Sequence, residues 1–248
     1  MEVHAHTHTA RKKWTHYFWE FLMLFLAVFC GFLAEYQLEH KIEKDREKQY
    51  MQSMIEDLAQ DTTEVNSTVD FLDTLLLPVL RKSINLLYAE KFTDSIIKEL
   101  YAYVPRSTNF LTINFEDRTV SQLKSSGNLR LIRKKEVTDS LASYWKVCDD
   151  MSEVLLAGYD NARLIVKDLV FSLFDFNYYE GKIPYSALRT GVSFTLLSDN
   201  RSQFIKLANY ISNLNSQAFW IIRARLLVAK QMATSLIGLI KDHYHFKV

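Results

Sequence analysis

Residues 17–49 read YFWEFLMLFLAVFCGFLAEYQLEHKIEKDREKQ, an apolar stretch that runs directly into a charged one. The 14 residues 21–34 carry no charge, and aromatic residues extend the stretch to Trp14 on one side and Tyr36 on the other. These 23 residues correspond to about 34 Å of helix, which is enough to cross the hydrocarbon core of a bilayer. The sequence therefore predicts a transmembrane helix over residues 14–38, with a buried helix of a soluble protein as the alternative.

The basic residues around this segment predict its orientation. Three of them precede it at positions 11–13, as is typical of a cytoplasmic flank. Four others follow within residues 39–49, so the bias in charge is small, but the short N-terminal arm leaves the larger part of the chain to be translocated. We expect residues 1–13 to be a cytoplasmic arm. Residues 39–248 are then an extracytoplasmic domain, periplasmic at a bacterial inner membrane.

The composition limits the fold class and the partners. The chain has 6 Gly and 3 Pro in 248 residues, too few for the many tight turns of a β-sandwich or barrel. Its formal net charge is +1, so it lacks the global basic field of a nucleic-acid-binding protein. We therefore expect an all-α protein that has the lipid bilayer, and not a nucleic acid, as a partner.

Beyond residue 50 the apolar residues recur in alternating steps of four and three, the heptad pattern of long packed helices. The first series is Met51, Ile55, Leu58, Thr62, Val65, Val69, Leu72 and Leu76. The second is Val137, Leu141, Tyr144, Cys148, Met151, Leu155, Gly158, Ala162, Ile165 and Leu169. The third is Phe204, Leu207, Ile211, Leu214, Ala218, Ile221, Arg225, Val228, Met232, Ser235 and Leu239. These stripes can be buried against one another, which predicts an antiparallel helical bundle continuous with the membrane helix.

Shorter elements and loops interrupt this pattern. Pro78 is expected to end or kink the first helix. Helical pieces follow over roughly residues 79–90 and 94–104, and Gly127 is placed to cap a short helix over residues 116–126. The irregular stretches favour a folded intramolecular bundle. An intermolecular coiled coil near the membrane, joining two copies or a protein partner, is the alternative.

Two charged residues stand at positions where charge is unfavourable. Glu20 lies inside the apolar stretch, so it is a candidate contact with a partner's membrane helix, or else it reaches the membrane interface. Arg225 is the single charged member of the third heptad series, a candidate buried polar residue that should pair with a carboxylate if it is buried. A polar ligand site at Arg225 is the alternative.

Three further clusters are candidate sites. His4, His6 and His8 alternate in a terminal segment and are weak candidates for metal ligands, with a disordered tail as the alternative. Phe174, Phe176, Tyr178 and Tyr179 are candidates for an exposed recognition surface, or else close the end of the bundle. The basic residues Lys124, Arg130, Arg133, Lys134 and Lys135 either contact an anionic lipid or phosphorylated ligand or form a solvated turn.

The sequence contains none of the motifs that mark a catalytic or cofactor site. It has no nucleophile elbow, phosphate-binding loop, paired zinc-ligand spacing or HExxH motif. We therefore predict no enzymatic activity, no cofactor and no catalytic residue.

Three segments resemble a family of uncharacterised bacterial proteins with one N-terminal membrane helix. They are EFLMLFLAV and GFLAE within residues 20–35, VSQLKSSGNLRLIRKKEVTDSLASYW at 120–145, and LIGLIKDHYHF at 236–246. The resemblance covers nearly the whole chain. It implies a single membrane span and a structural turn at residues 125–127, but no activity, because the family is a domain of unknown function.

Together these observations predict a single-pass membrane protein that acts as a non-enzymatic binding or scaffold subunit of a cell-envelope assembly. One alternative is a sensory module that signals through a partner membrane protein, because the residues before the span are too few for an output domain. The other is a metal-handling protein that uses the N-terminal histidines.

Overall fold

A computed structural model describes residues 14–180 and 188–246 of the chain. It divides into two compact units, Met1–Tyr50 and Met51–Val248. Helix α1, Trp14–Phe71, contains the boundary between them. Within the described ranges the chain is helical apart from loops and two isolated β-bridges, which confirms the prediction of an all-α fold.

The first unit presents apolar side chains with no core to bury them. Phe21, Leu24 and Phe32 are each more than 60% exposed, at 64%, 69% and 67%. The most apolar window of this helix has a mean hydropathy of 2.0, and none of it is buried. Among the described residues this is the one helix that is long and apolar enough to cross a membrane.

The second unit is a helical bundle built from the remaining residues of α1 and seven further α-helices. These are α2 (Leu77–Leu87), α3 (Asp94–Tyr103), α4 (Arg118–Ser125), α5 (Lys135–Glu153), α6 (Asn161–Leu173), α7 (Arg201–Ser216) and α8 (Arg223–Tyr244). The most extensive packing is between α2 and α7, α5 and α8, and α6 and α7. Buried members of all three apolar series, among them Leu72, Leu155 and Leu214, meet in one core, as the bundle prediction requires.

Three long helices run through the bundle, and each consists of two α-helices joined by a π-helical segment: α1 and α2, α5 and α6, and α7 and α8. The first segment is Leu72–Leu76, the second is Val154–Asp160, and the third is Gln217–Ile222. In the first, the backbone N–H of Leu77 donates to the carbonyl of Leu72, five residues earlier. A π turn accommodates one residue more than an α turn, so each segment rotates the helix beyond it by about one residue position.

The heptad prediction is correct up to the second and third π segments and wrong after them. In the second series Met151 and Leu155 are buried as predicted, but beyond the segment Val166 and Val170 are buried instead of Ile165 and Leu169. In the third series the buried residues from the end of the segment onward are Ile222, Leu226, Ala229, Ala233, Leu236 and Ile240. Each is the residue that follows the predicted one, because the extra residue in the π turn displaces the buried stripe.

Of the two effects predicted for Pro78, to end or to kink the helix, the first is wrong, because the helix continues past it. The first π segment shifts the hydrogen-bond ladder immediately before this proline, which then occupies the first turn of α2. A proline is tolerated in the first turn because its missing N–H has no intrahelical partner there. The helix therefore continues to Leu87 with Val79 and Leu80 buried.

The three π segments lie at a similar level of the bundle. The guanidinium of Arg223, directly after the third segment, binds both carboxylate oxygens of Asp73 in the first at 2.8–3.0 Å. The second and third segments contact each other, and a methyl group built on Gly158 would lie 3.4 Å from Oε1 of Gln217. The register changes of the three long helices are therefore coupled in space.

The short elements follow local sequence signals. Gly127 has a φ of 68°, the left-handed conformation that favours glycine after a helix, so its predicted role at the end of α4 is confirmed. Thr93 caps α3 and Asn200 caps α7, each accepting a backbone N–H with its side-chain oxygen.

The displaced register predicts opposite effects at two neighbouring positions of α8. Leu226 is fully buried, whereas Val228 is 50% exposed. We expect Leu226→Ala to lower the free energy of unfolding by about 2–5 kcal/mol, and Val228→Ala to change it by less than about 0.5 kcal/mol. Urea unfolding of the detergent-solubilised chain measures both values. If Val228→Ala lowered the free energy of unfolding more than Leu226→Ala, the result would support an uninterrupted heptad register and contradict the third π segment.

Candidate functional site

Two buried aspartates on α1 form the most polar part of the bundle core. Asp57 and Asp61 are four residues apart, so they lie on the same face of the helix. Both are 2% exposed and lie among the apolar residues Met54, Leu58 and Val65. A buried carboxylate is stable only when hydrogen-bond donors of the protein replace the water molecules that would solvate it. The donors around Asp57 and Asp61 therefore indicate the role of these two residues.

All four carboxylate oxygens of this aspartate pair accept a hydrogen bond from the protein. Asp57 accepts from Nη2 of Arg118 and, at 3.0 Å, from the backbone N–H of Thr119. Asp61 accepts from the backbone N–H of Glu116 at 2.7 Å and from the Tyr144 hydroxyl at 2.7 Å. The pair therefore attaches the start of α4, which has no side-chain cap of its own, and α5 to α1.

Burial changes the acid–base properties of the groups around Asp61. Burial raises the pKa of Asp61, and the hydrogen bonds from Glu116 and Tyr144 oppose that change. It likewise raises the pKa of the Tyr144 phenol. The pKa of the Cys148 thiol, one turn further along α5, rises to about 12, chiefly because of burial. The thiol therefore stays protonated at neutral pH and is a poor nucleophile.

A cavity of about 330 Å³ lies beside this cluster. Tyr144, Trp145 and Cys148 of α5 line one side, and residues 113–117 with Lys124 line the other. The ammonium of Lys124 lies 5.4 Å from the centre of a ring of Trp145, which favours a cation–π contact at the cavity wall. The hydrogen bonds that Asp57 and Asp61 accept attach α4 and α5 to α1 beside this cavity.

Sequence reasoning missed this aspartate pair. The heptad series passes through Leu58 and Thr62, and both aspartates stand one position from it. The available signal was two acidic residues one turn apart on the stripe Met54, Asp57, Asp61, Val65, which is otherwise apolar. Its donors come from distant segments, and sequence periodicity contains no information about them.

The structure places the predicted membrane-helix residue Glu20 in a local pair. Oε1 of Glu20 lies 3.2 Å from Nε2 of His16, one turn earlier, and both side chains are about half exposed. His16 is thus a partner of Glu20 that the sequence analysis did not identify. A contact of Glu20 with a partner protein stays a prediction.

The structure does not support the predicted burial of Arg225. The third π segment displaces the buried stripe to Ile222 and Leu226, which leaves Arg225 exposed on the other side of the turn. The buried pairing predicted for this arginine is therefore wrong. The described arginine that does pair across the bundle nearby is Arg223, with Asp73.

The aromatic cluster after α6 closes one end of the bundle around Tyr101. Phe174 and Tyr179 are buried there, with ring centres 5.1 and 6.2 Å from that of Tyr101. Phe176 and Tyr178 are half-buried and pack against the same core. The Tyr101 hydroxyl donates to the carbonyl of Thr195 at 2.7 Å and accepts from the N–H of Asp175 at 2.9 Å.

An exposed recognition surface is therefore wrong for Phe174 and Tyr179. These two side chains alternate with more exposed ones because the chain leaves the helix at Phe174, whose backbone is extended. Loop residues with large aromatic side chains fill the space between helix ends, where helical periodicity no longer applies. The other interpretation of the sequence, that these aromatic residues close the end of the bundle, is confirmed.

A different surface presents large apolar side chains to solvent. Trp220 is 73% exposed, and Leu227, seven residues later, lies on the same face of the third π segment and α8. Ile221 and Val228 repeat the same spacing and are 42% and 50% exposed. We call these four residues the α8 stripe. Sequence analysis assigned Ile221 and Val228 to the core, and the π segment turns them outward.

The predicted metal ligands His4, His6 and His8 lie outside the described residues. Over residues 14–180 and 188–246, His, Cys, Asp and Glu side chains form no group of three that could hold a metal ion.

The chain matches no protein-family model, no curated protein and no solved structure. The resemblance to a bacterial family of unknown function therefore stays a prediction.

The hydrogen bond to Asp61 predicts a pH-dependent effect of Tyr144→Phe. The variant leaves one oxygen of a buried carboxylate without its donor, which lowers the free energy of unfolding by about 1–3 kcal/mol when Asp61 is ionised. Because the folded pKa of Asp61 is raised above 3.8, its ionisation opposes folding as the pH rises through that value. The loss should therefore be larger at neutral pH than near pH 3.8, as measured by urea unfolding at both.

Tyr159→Phe provides the matched control. The Tyr159 hydroxyl is buried and has no hydrogen-bond partner among the described residues, so its removal should be neutral or stabilising at both pH values. Equal losses from the two variants, or a Tyr144→Phe loss that does not depend on pH, would show that Asp61 does not depend on this hydrogen bond.

Proposed function

We propose that this chain is a single-pass membrane protein whose helical bundle is a non-enzymatic binding or scaffold subunit of a cell-envelope assembly. Residues 14–38 form the membrane helix in this proposal. Their support is the exposure of large apolar side chains along a helix long enough to span the hydrocarbon core. Exposure of this kind is strongly unfavourable in water and favourable in lipid.

The α8 stripe is the observation that carries the binding role. Trp220 and Val228 are exposed although the bundle buries the neighbouring residues Ile222 and Leu226 almost completely. Large aromatic and aliphatic side chains grouped on one surface are typical of protein interfaces, and tryptophan is among the residues enriched at their energetic centres. Arg225 is exposed within the same stretch of helix and supplies a charged group beside the stripe.

The polar core supports a structural role for the groups that an enzyme would use. The oxygens of Asp57 and Asp61 are occupied by protein donors, and the raised pKa of Cys148 keeps its thiol protonated. Both carboxylates are also 2% exposed, which keeps them from a substrate in solution, and a protonated thiol is a weak nucleophile. The proposal therefore assigns these residues to stability and the exposed apolar stripe to binding.

We propose an orientation with residues 1–13 in the cytoplasm and the bundle in the periplasm of a bacterial cell. The basic residues at 11–13 support it, since short basic flanks stay on the cytoplasmic side.

Membrane integration and orientation can be tested with one fusion. An alkaline phosphatase joined after Val248 should be active, because this enzyme folds only in an oxidising compartment, and the fusion should remain in the membrane after alkaline carbonate extraction. The matched variant lacks residues 14–38 and should be inactive and extractable. Extraction of the intact chain would contradict the span. Retention in the membrane without phosphatase activity would contradict only the orientation.

The binding role predicts that the α8 stripe can be altered without loss of fold. The double variant Trp220→Ser, Val228→Ser should lose crosslinks to its partner in intact membranes, because it removes the apolar contact area while leaving the buried stripe unchanged. Leu197→Ser is the control, since Leu197 is a comparably exposed apolar residue elsewhere on the bundle at 58%. Crosslinked species are identified by mass spectrometry, and thermal unfolding verifies each fold. An unchanged set of crosslinks in the double variant would remove the basis of the proposal.

A further inference from the structure

Five basic residues are grouped on the turn between α4 and α5. We call Lys124, Arg130, Arg133, Lys134 and Lys135 the basic turn. All five side chains are exposed, whereas Leu131 and Ile132 between them are buried at 7% each. The apolar pair anchors the turn to the bundle, so the cations are held at the surface by packing.

The charge of this segment is one-sided. Residues 124–135 contain no Asp or Glu, although the whole chain has a net charge of only +1. Among the described residues Arg130, Lys134 and Lys135 form no ion pair. The basic turn therefore carries a local positive charge, which attracts anions.

Two of these cations also oppose the stability of α5. Lys134 precedes the helix without capping it, and Lys135 is its first residue. The N-terminus of a helix carries a partial positive charge, where acidic residues are favourable and lysines are not. Local stability thus does not account for these lysines, whereas binding of an anion at this position would.

The basic turn lies at the end of the bundle where the chain enters it at Met51. Asp73 of the first π segment pairs with Arg223 at the start of α8, and His243 near the end of α8 lies 3.2 Å from Glu136 at the start of α5. Those 20 residues (243 − 223) of helix correspond to about 30 Å. Tyr144, further along α5, is bonded to Asp61. The start of α5 therefore lies beyond Asp61, in the direction of Met51.

The chain between the predicted membrane segment and the bundle is short. Leu38 ends that segment and Met51 begins the bundle, which leaves 12 residues between them, or 13 steps from one Cα to the next (51 − 38). By length alone they reach at most about 45 Å, even when fully extended. A tether of this length gives the bundle a high effective concentration at the lipid surface, so a weak contact is sufficient for docking.

We propose that the basic turn docks on the anionic phosphate headgroups of the membrane that anchors the chain. The inference rests on the membrane helix of the proposed function. Arg130, Lys134 and Lys135 supply the charge, and the buried Leu131 and Ile132 hold it in place. Docking would fix the bundle at the membrane surface and leave the α8 stripe available to a partner.

The test uses the full chain in lipid nanodiscs, with a fluorophore on Ser126→Cys in a Cys30→Ala background and lipids that carry a headgroup quencher. Quenching should rise when phosphatidylglycerol is added to phosphatidylcholine discs and fall again at high salt. Each cation removed should lower the ratio of docked to undocked molecules about fivefold. The double variant Lys134→Glu, Lys135→Glu should therefore abolish the response to phosphatidylglycerol.

Two controls separate the possible failures. Glutamates at the start of α5 are favourable to the helix, so loss of docking in the charge-reversed variant cannot be attributed to unfolding. Lys91→Glu, Lys98→Glu reverses two exposed lysines outside the basic turn and should retain the response. Equal quenching in both types of disc, or an equal loss in the control variant, overturns the inference. A chain that does not insert into discs overturns the proposed function as well.

Discussion

The extra residue in each π segment determines which side chains this bundle buries. Without the segments, the heptad series would place Ile165, Arg225 and Val228 in the core. With them, Val166, Leu226 and Ala229 are buried instead. The ion pair between Asp73 and Arg223 joins the first segment to the end of the third, and the second contacts the third. One layer of the bundle therefore sets the packing of all three long helices beyond it.

The sequence predicts the fold class and most element positions because those depend on local periodicity. The short helix before Gly127, the helix over residues 94–104 and the three long apolar series all have counterparts in the structure. The π segments were not predictable in the same way. A one-residue change of register alters no composition or spacing within either half of a helix, and only the packing partner distinguishes the two possible stripes. The predicted end of the helix at Pro78 is wrong for the same reason, since the shift just before this proline places it in the first turn of α2.

The polar residues show a similar division between local and non-local information. Arg225 is visible in the sequence as a charged residue in an apolar series. Whether it faces the core, however, depends on the π segment that begins eight residues earlier, at Gln217. The sequence does not mark Asp57 and Asp61 as a candidate site, although they attach α4 and α5 to α1. Their donors come from positions 116–119 and 144, so the cluster exists only after the chain has folded. Candidate sites built from one helix were visible in the sequence, and those built from three were not.

The two cysteines differ in their exposure to solvent, and the buried one can be used to detect local opening of the bundle. Cys30 is exposed on the apolar helix, whereas Cys148 is buried beside Tyr144 with a thiol that stays protonated at neutral pH. Cys148 lines the 330 Å³ cavity but is only 9% exposed, so its modification by a water-soluble thiol reagent becomes faster when α5 separates transiently from its neighbours. The rate of its modification would therefore measure how often that part of the core opens in the native protein, without any introduced label.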